Sequence, residues 1–584
     1  MPPDALKRLA PWAAGLGLWL AYLAVYLPYL PGPGGLWAAD YYLHFPNLLT
    51  GVYWRLHNRL GAAPWFNPAQ CGGIPYFADP NVAYYSLPQF LGFVVAPDTA
   101  IRATFAIFAA LGCLGAYGMM RSSFAASRAA SAAAAGLFLF NTFFAARMLI
   151  GHLTFHAFML APFIAWAALP PPGAPPPKAA AFAARAGLAA LALAYMFQSG
   201  MVHGLPPVGL SLIALAVMRH VKGGGFGRAM AILAAGGLGA LALSASKLAA
   251  EVAWLGQFPR GLYTLPGVQD PLFAALIGPL TLIGVAPENS NWIVNSQWLL
   301  DRHEWEYGIS VAPALLLALA LGLALWRAKR PKFDAAKLAW LGALALVLAV
   351  PAALNFYQPA WNAFLKSLPY FGQSSSLLRF LSAYILVGIA AAGLLIDRIA
   401  PESAAPWRSR TALAAAALAV MLAQTFATPR AYYAKESYDP RAILAAAADA
   451  RADGRLPAVS RIAQSGGAAE GVSTLNCYQP LFGYRLEAFP RGALHEGPVA
   501  QAGALNLKNP ACYVFPAANA CAPGDAFSAA EASSAQAFLD YRPFPFARPA
   551  AQVIADAVNW AALWVFAAGA IGLSAASIWR RAPR

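Results

Sequence analysis

The sequence predicts an all-α polytopic membrane protein of about 12 transmembrane helices, with a small α+β extracytoplasmic domain near the C-terminus. Three observations carry this. Of 584 residues, 60% are hydrophobic and only 11% are charged, less than half the roughly 25% of a soluble globular chain. The apolar residues come in runs of about 20, the length that crosses a bilayer core. The net charge of +16 collects in short segments between alternate runs, as the positive-inside rule expects. This composition excludes a soluble enzyme, a disordered scaffold and a disulfide-rich secreted module.

Twelve apolar segments are long enough to cross, at about 11–30, 100–120, 129–149, 153–169, 186–202, 204–218, 229–249, 309–326, 338–355, 379–397, 411–427 and 557–579. With Lys7 and Arg8 in the cytoplasm, alternation puts 20 basic and four acidic residues on that side, the C-terminal tail included, and 20 of each sign on the other. The opposite orientation would invert the rule at every loop. The basic charge therefore sets orientation and gives no nucleic-acid surface. The first span reads as an anchor, because its run exceeds a signal peptide's apolar core and Leu36-Trp37-Ala38-Ala39 puts a bulky residue at −3 of either cut.

Residues 1–427 then form a transmembrane domain, 428–556 an extracytoplasmic domain, and 557–584 a final helix with a basic cytoplasmic tail. Within 428–556, Arg441–Arg451 reads as a helix, and Gly471–Leu475 and Ala511–Phe515 as strands. The other outer segments are 31–99, 250–308 and 356–378. Of five cysteines, Cys113 lies in a span and reads as a buried thiol. Cys512 and Cys521 are near enough to close a short disulfide loop on the oxidising side. Cys71 with Cys477 would tie the first loop to the last domain, but spacing gives no support for it. No zinc spacing occurs.

The first loop is the most informative stretch. Asp40 follows the first span in Trp37-Ala38-Ala39-Asp40-Tyr41-Tyr42-Leu43-His44. Among aromatic rings it can serve as a general base with a raised pKa, or it can cap a helix start. From Leu48 to Leu60, Leu49, Val52, Tyr53, Leu56 and Leu60 share a helical face, as in a helix lying in the interface plane. Arg55 and Arg59 on it can anchor the helix or bind a lipid phosphate. Gly72-Gly73 permits close backbone approach to a ligand or a tight turn. Asp79 is a second carboxylate, for catalysis or for a turn.

These residues resemble the bacterial YfhO-like family, within the GT-C superfamily of membrane glycosyltransferases. The likeness rests on the acidic residue after span one, Phe66-Asn67-Pro68, Gly72-Gly73-Ile74-Pro75, Ala78-Asp79-Pro80-Asn81 and a Tyr/Pro-rich entry to span two. Weaker echoes are Gly151-His152-Leu153-Thr154, Gln198-Ser199-Gly200, Glu306-Tyr307-Gly308 and Leu368-Pro369-Tyr370. The family's arginine pattern before span ten is reduced here to Arg379. The resemblance implies a bacterial inner-membrane transferase that moves sugar from a polyprenyl-phosphate donor to an envelope glycan, lipid or protein at the periplasmic face. It assigns Asp40 the base. The cations open to the donor phosphate on that side are Arg55, Arg59, His152, Arg260 and Arg379.

The second long loop holds Trp292, Trp298 and Trp305 among Asp301, Arg302, His303, Glu304 and Glu306. Trp298, Trp305 and Glu304 suit sugar or acceptor binding, and tryptophans equally form interfacial belts. His152 and His156 have metal-sharing spacing, but no third ligand follows, so no metal cofactor is expected. Without Walker or dinucleotide motifs, ATP-driven transport and cytosolic nucleotide-sugar transfer are disfavoured. Two other classes stay open. One is a lipid or polysaccharide transporter, for which Lys247 and Glu251 are the deep ionisable residues. The other is a non-enzymatic envelope assembly protein.

Overall fold

A computed structural model of the chain describes residues 3–32, 34–258, 263–284, 294–295, 300, 302–326, 334–400, 409–428, 436–477, 479–482, 486–490, 492, 494–501 and 504–581. The described chain is mostly helical. Among the described residues, nine helices are long and apolar enough to cross a membrane: Pro97–Ser123, Arg128–Ile150, Ala179–Gln198, Val202–Gly223, Phe226–Leu243, Ala335–Leu354, Leu378–Ile399, Arg410–Ala427 and Ala550–Gly572. The protein is membrane-embedded. Shorter apolar helices are Ala13–Tyr29, Leu153–Ala168, Pro271–Leu282 and Ala312–Trp326. Three of them coincide with segments expected to span. The fourth, Pro271–Leu282, lies in a stretch expected to be an aqueous loop. Its apolar run is too short for a spanning-length criterion, and Pro279 interrupts it.

Arg128–Ile150 is the centre of the bundle, with 94% of its apolar window buried, whereas Ala550–Gly572, at 0%, lies on the periphery. Small residues explain the centre. Ala133 and Ala134 are wholly buried, and a Cβ on Gly136 would come within 2.4 Å of Leu418. Close backbone approach of this kind drives helix association in lipid.

The central helix breaks at Asn141, whose side chain accepts the Phe144 N–H at 2.9 Å and restarts the helix as Thr142–Ile150. At the break, Thr142 N–H donates to the Gly308 carbonyl, and Gly308 N–H donates to Thr142 Oγ1, both at 2.8 Å. The restarted turns thus carry the segment that follows the short helix Arg302–Glu304.

The C-terminal segment is built onto the first loop. Trp37–Ala38 pairs antiparallel with Glu436–Tyr438. The hairpin of Phe66–Asn67 and Ile74–Pro75 is fastened by a bridge from Gln70 to Thr474 and by the Cys71–Cys477 disulfide. Trp65 and Phe66 pack on Phe546, and Phe66 on Phe544. A second disulfide joins Cys512 and Cys521, and Cys113 is a free, buried thiol.

Three local expectations are corrected here. The amphipathic stretch starts earlier, as the helix Tyr41–His57, and its apolar face is covered by protein. Leu49, Val52 and Tyr53 are buried, because Arg441–Asp453 packs across it, and only Leu56 and Leu60 at its far end are exposed. Gly72 and Gly73 admit the protein's own chain rather than a ligand: a Cβ on Gly73 would meet the Lys508 carbonyl at 2.9 Å. Ala511–Val514 is a helical turn rather than a strand, started by Asn509, whose side chain accepts the Ala511 N–H. Val472–Thr474 is a strand, parallel to Arg461–Ala463.

Candidate active site

Asp40 occupies the N-cap of the helix Tyr41–His57, yet its side chain caps nothing. Its Oδ2 instead lies 2.8 Å from His152 Nε2. Gly151 makes the meeting possible. It sits in the left-handed region at φ +110, and a Cβ there would be 2.5 Å from Tyr41 N and 2.7 Å from the Asp40 carbonyl carbon. The Tyr41 hydroxyl fixes the same junction by donating to the Met148 carbonyl at 2.6 Å.

The other imidazole nitrogen, Nδ1, is 2.9 Å from Arg147 Nη1. A guanidinium has donors only. Nδ1 must therefore accept, which leaves the proton on Nε2, donated to Asp40. The contact selects one tautomer and disfavours the imidazolium. Burial acts the same way and pushes His152 down to about 4, against the pull of Asp40.

Arg147 is fully buried and grips Glu304 with two bonds, Nη1 to Oε1 at 2.9 Å and Nη2 to Oε2 at 3.2 Å. Glu304 also has His303 Nε2 at 3.4 Å and Arg379 Nη2 at 3.9 Å. The Phe155 ring gathers the group. Arg147 and Arg379 lie 5.1 and 5.6 Å from its centroid, and the His152 ring is 5.7 Å away.

The electrostatics correct one expectation. Burial is the largest single influence and would raise the Asp40 carboxyl, but the His152 hydrogen bond and the electrostatic pull of His152, His303 and His44 together hold the group below its ordinary value. Glu304 is held well below the carboxylate range, because the Arg147 and Arg379 charges overcome its burial. Asp40 thus meets Arg147 through a neutral imidazole, while Glu304 faces both guanidinium groups directly. Two functions remain uncommitted. The Asp40 side chain is 39% exposed, and its Oδ1 has no hydrogen-bond partner among the described residues. Arg379 Nε is buried without a partner.

No protein-family model matches the chain, and no curated protein matches it.

Of the residues nominated from sequence, Asp40, His152, Glu304 and Arg379 come together here. Arg55 and Arg59 do not. They stand at the exposed far end of the helix that Asp40 begins, about 20 Å away at 1.5 Å per residue. Asp79 is also elsewhere. It is buried, takes the Asn81 N–H and the Gln479 amide at 2.8 Å each, and shapes a turn while tying the first loop to the C-terminal segment. Trp305 is 3% exposed and offers no face to a sugar. Glu304 gives both oxygens to Arg147, so it supports the site rather than contacting a sugar. Arg260 and Trp298 lie outside the described residues.

Sequence reasoning passed over Arg147. Its signal was a lone charge inside an apolar run, which in a membrane segment needs a partner. His44 was also missed. It lies near Asp40, and burial pushes it to about 3. Among the described residues no three His, Cys, Asp or Glu side chains are grouped to hold a metal. His156 is fully engaged, with Nδ1 on the Leu153 carbonyl and Nε2 on the Tyr195 hydroxyl.

Proposed function

We propose that the protein is a GT-C-type membrane glycosyltransferase that transfers sugar from a polyprenyl-phosphate donor to an envelope acceptor at the periplasmic face of the bacterial inner membrane. The observation that carries the reading is the presence of a free Asp40 oxygen and an unpartnered Arg379 Nε around one buried charge network.

An acceptor hydroxyl attacks the anomeric carbon. Its proton passes to Asp40 Oδ1, and the bond from that carbon to the phosphate oxygen breaks. The electron pair leaves on the polyprenyl phosphate, where Arg379 offsets the growing negative charge. An ionised carboxylate is ready to accept a proton at neutral pH. His152 orients it, and Arg147 fixes the tautomer of His152. The cluster stands where central helices begin and end, at Ile150 and Leu378, which suits a donor held by its tail in the bilayer.

The test is Asp40→Asn in purified protein supplied with polyprenyl-phosphate sugars. Asparagine still accepts the His152 N–H, so the fold is kept, and transfer drops about 10²- to 10⁴-fold, the usual worth of a positioned base. Full transfer by that variant removes the assignment. The transporter reading has one observation of its own. Lys247 and Glu251 are a buried pair 3.7 Å apart, with Lys247 Nζ donating to the Val82 carbonyl. Substrate movement across vesicles without sugar transfer would favour it.

A further inference from the structure

A second site lies at the other end of the helix Tyr41–His57. There a cleft of about 590 Å³ opens between that helix, Arg441–Asp453 and the 540–542 turn. Its volume falls within the range of small-molecule pockets. Its polar lining comes from Tyr53, His57, Asp449, Arg455, Asp540 and Arg542.

Two features mark it as built to receive something. Tyr53 is wholly buried and lines the cleft, yet its hydroxyl has no hydrogen-bond partner. A hydroxyl left unmade in this way costs free energy that a ligand would recover. Beside it, Tyr541 holds a left-handed backbone at φ +56. A non-glycine residue there is strained, and such strain gathers at ligand clamps. The strained turn is pinned, because Asn58 Nδ2 donates to the Tyr541 carbonyl at 2.9 Å. The Tyr541 ring packs edge-on against Tyr53 at 5.3 Å. This places Asp540 and Arg542, the residues on either side, at the cleft wall.

The charges choose the ligand class. Arg455 is already paired with Asp453, and Asp540 accepts from Gln536. Asp449 and Arg542 carry opposite charges and have no ion-pair partner among the described residues. In the lining, the two carboxylates Asp449 and Asp540 balance the two arginines Arg455 and Arg542, so the cleft has no surplus of cations for a phosphate or a uronate. A lining that alternates acceptors and donors, with Leu456 and Pro457 as apolar patches, fits a polyol with CH faces. We propose that this cleft binds an uncharged saccharide, with Asp449, Arg542 and the Tyr53 hydroxyl making its hydrogen bonds.

The proposal does not rest on Asp40 acting as a base. The test uses the full-length protein in detergent against an array of neutral hexose and N-acetylhexosamine oligosaccharides, with uronic-acid and phosphorylated ones beside them. Neutral oligosaccharides bind with Kd below about 1 mM. Tyr53→Phe and Asp449→Asn each weaken binding about tenfold or more, whereas Asp40→Asn leaves it unchanged. Tyr53→Phe removes a hydroxyl that has no partner in the free protein, so its thermal unfolding stays at or above that of the parent. The proposal is overturned if no neutral oligosaccharide binds, if only charged ones do, or if Asp449→Asn and Tyr53→Phe bind as the parent does.

Discussion

Arg147 donates to Nδ1 of His152 from within the membrane-spanning helix, and in doing so decides which histidine nitrogen faces Asp40. The same guanidinium neutralises Glu304. One buried arginine therefore sets both the charge balance and the proton geometry of the site.

Arg147→Gln strips the buried Glu304 of its bidentate partner and leaves only His303 at 3.4 Å and Arg379 at 3.9 Å. Removing one member of a buried pair costs about 3–5 kcal/mol, and thermal unfolding in detergent moves down accordingly. Arg147→Gln with Glu304→Gln recovers part of that loss. A double variant as unstable as the sum of the two singles would show that the pair is not coupled.

The pH dependence has a defined sign. His152 titrates at 6.5 when unfolded and about 4 when folded. Between these values the unfolded chain holds the extra proton, so stability falls as pH drops from about 6.5 to about 4. Asp40, already below 3.8 in the fold, adds its own loss only beneath that window. Unfolding measured from pH 7 to 4.5 should fall less steeply for His152→Gln than for the parent. Equal slopes would mean that His152 is not the group responsible.

Arg379→Gln should lower the turnover of polyprenyl-phosphate sugar about 10²- to 10³-fold, the effect of losing one donor to a developing anion. Stability should fall less than in Arg147→Gln, since Arg379 reaches Glu304 only at 3.9 Å while Arg147 holds it with two hydrogen bonds. An unchanged turnover number would take Arg379 out of phosphate binding.

Gly151→Ala is strained by its φ of +110 and also drives a Cβ into Tyr41 and Asp40. It should destabilise by about 1–3 kcal/mol and abolish transfer. Gly173→Ala is the control. Its φ is +68, but open space surrounds it, so it carries backbone strain alone. Equal effects on transfer would remove the close-approach argument.

Hydropathy makes the ends of spans visible, which is why Asp40, His152 and Arg379 stand out in the sequence: each is polar at an apolar boundary. It does not show which distant charge answers which. Glu304 finds Arg147 across 157 positions, and that pairing turns an apparent sugar contact into a support. Direction was the other loss. Arg55 and Asp40 belong to one helix, but reading the periodicity from Leu48 rather than Tyr41 hides that the helix holds them apart. The aromatic and glycine string at 65–75 was legible as an ordered loop. What it orders against, the C-terminal segment, comes from chain hundreds of residues away.

The Cys71–Cys477 bond also constrains how the chain threads. Its two sulfurs share one compartment, so the polypeptide between them must traverse the bilayer an even number of times. Eight of the nine long helices lie in that interval, with the shorter Leu153–Ala168, Pro271–Leu282 and Ala312–Trp326. Were all eight to cross, parity would admit two of those three or none. Pro271–Leu282, about 18 Å long at 1.5 Å per residue, is too short for a straight helix to cross a core of roughly 30 Å.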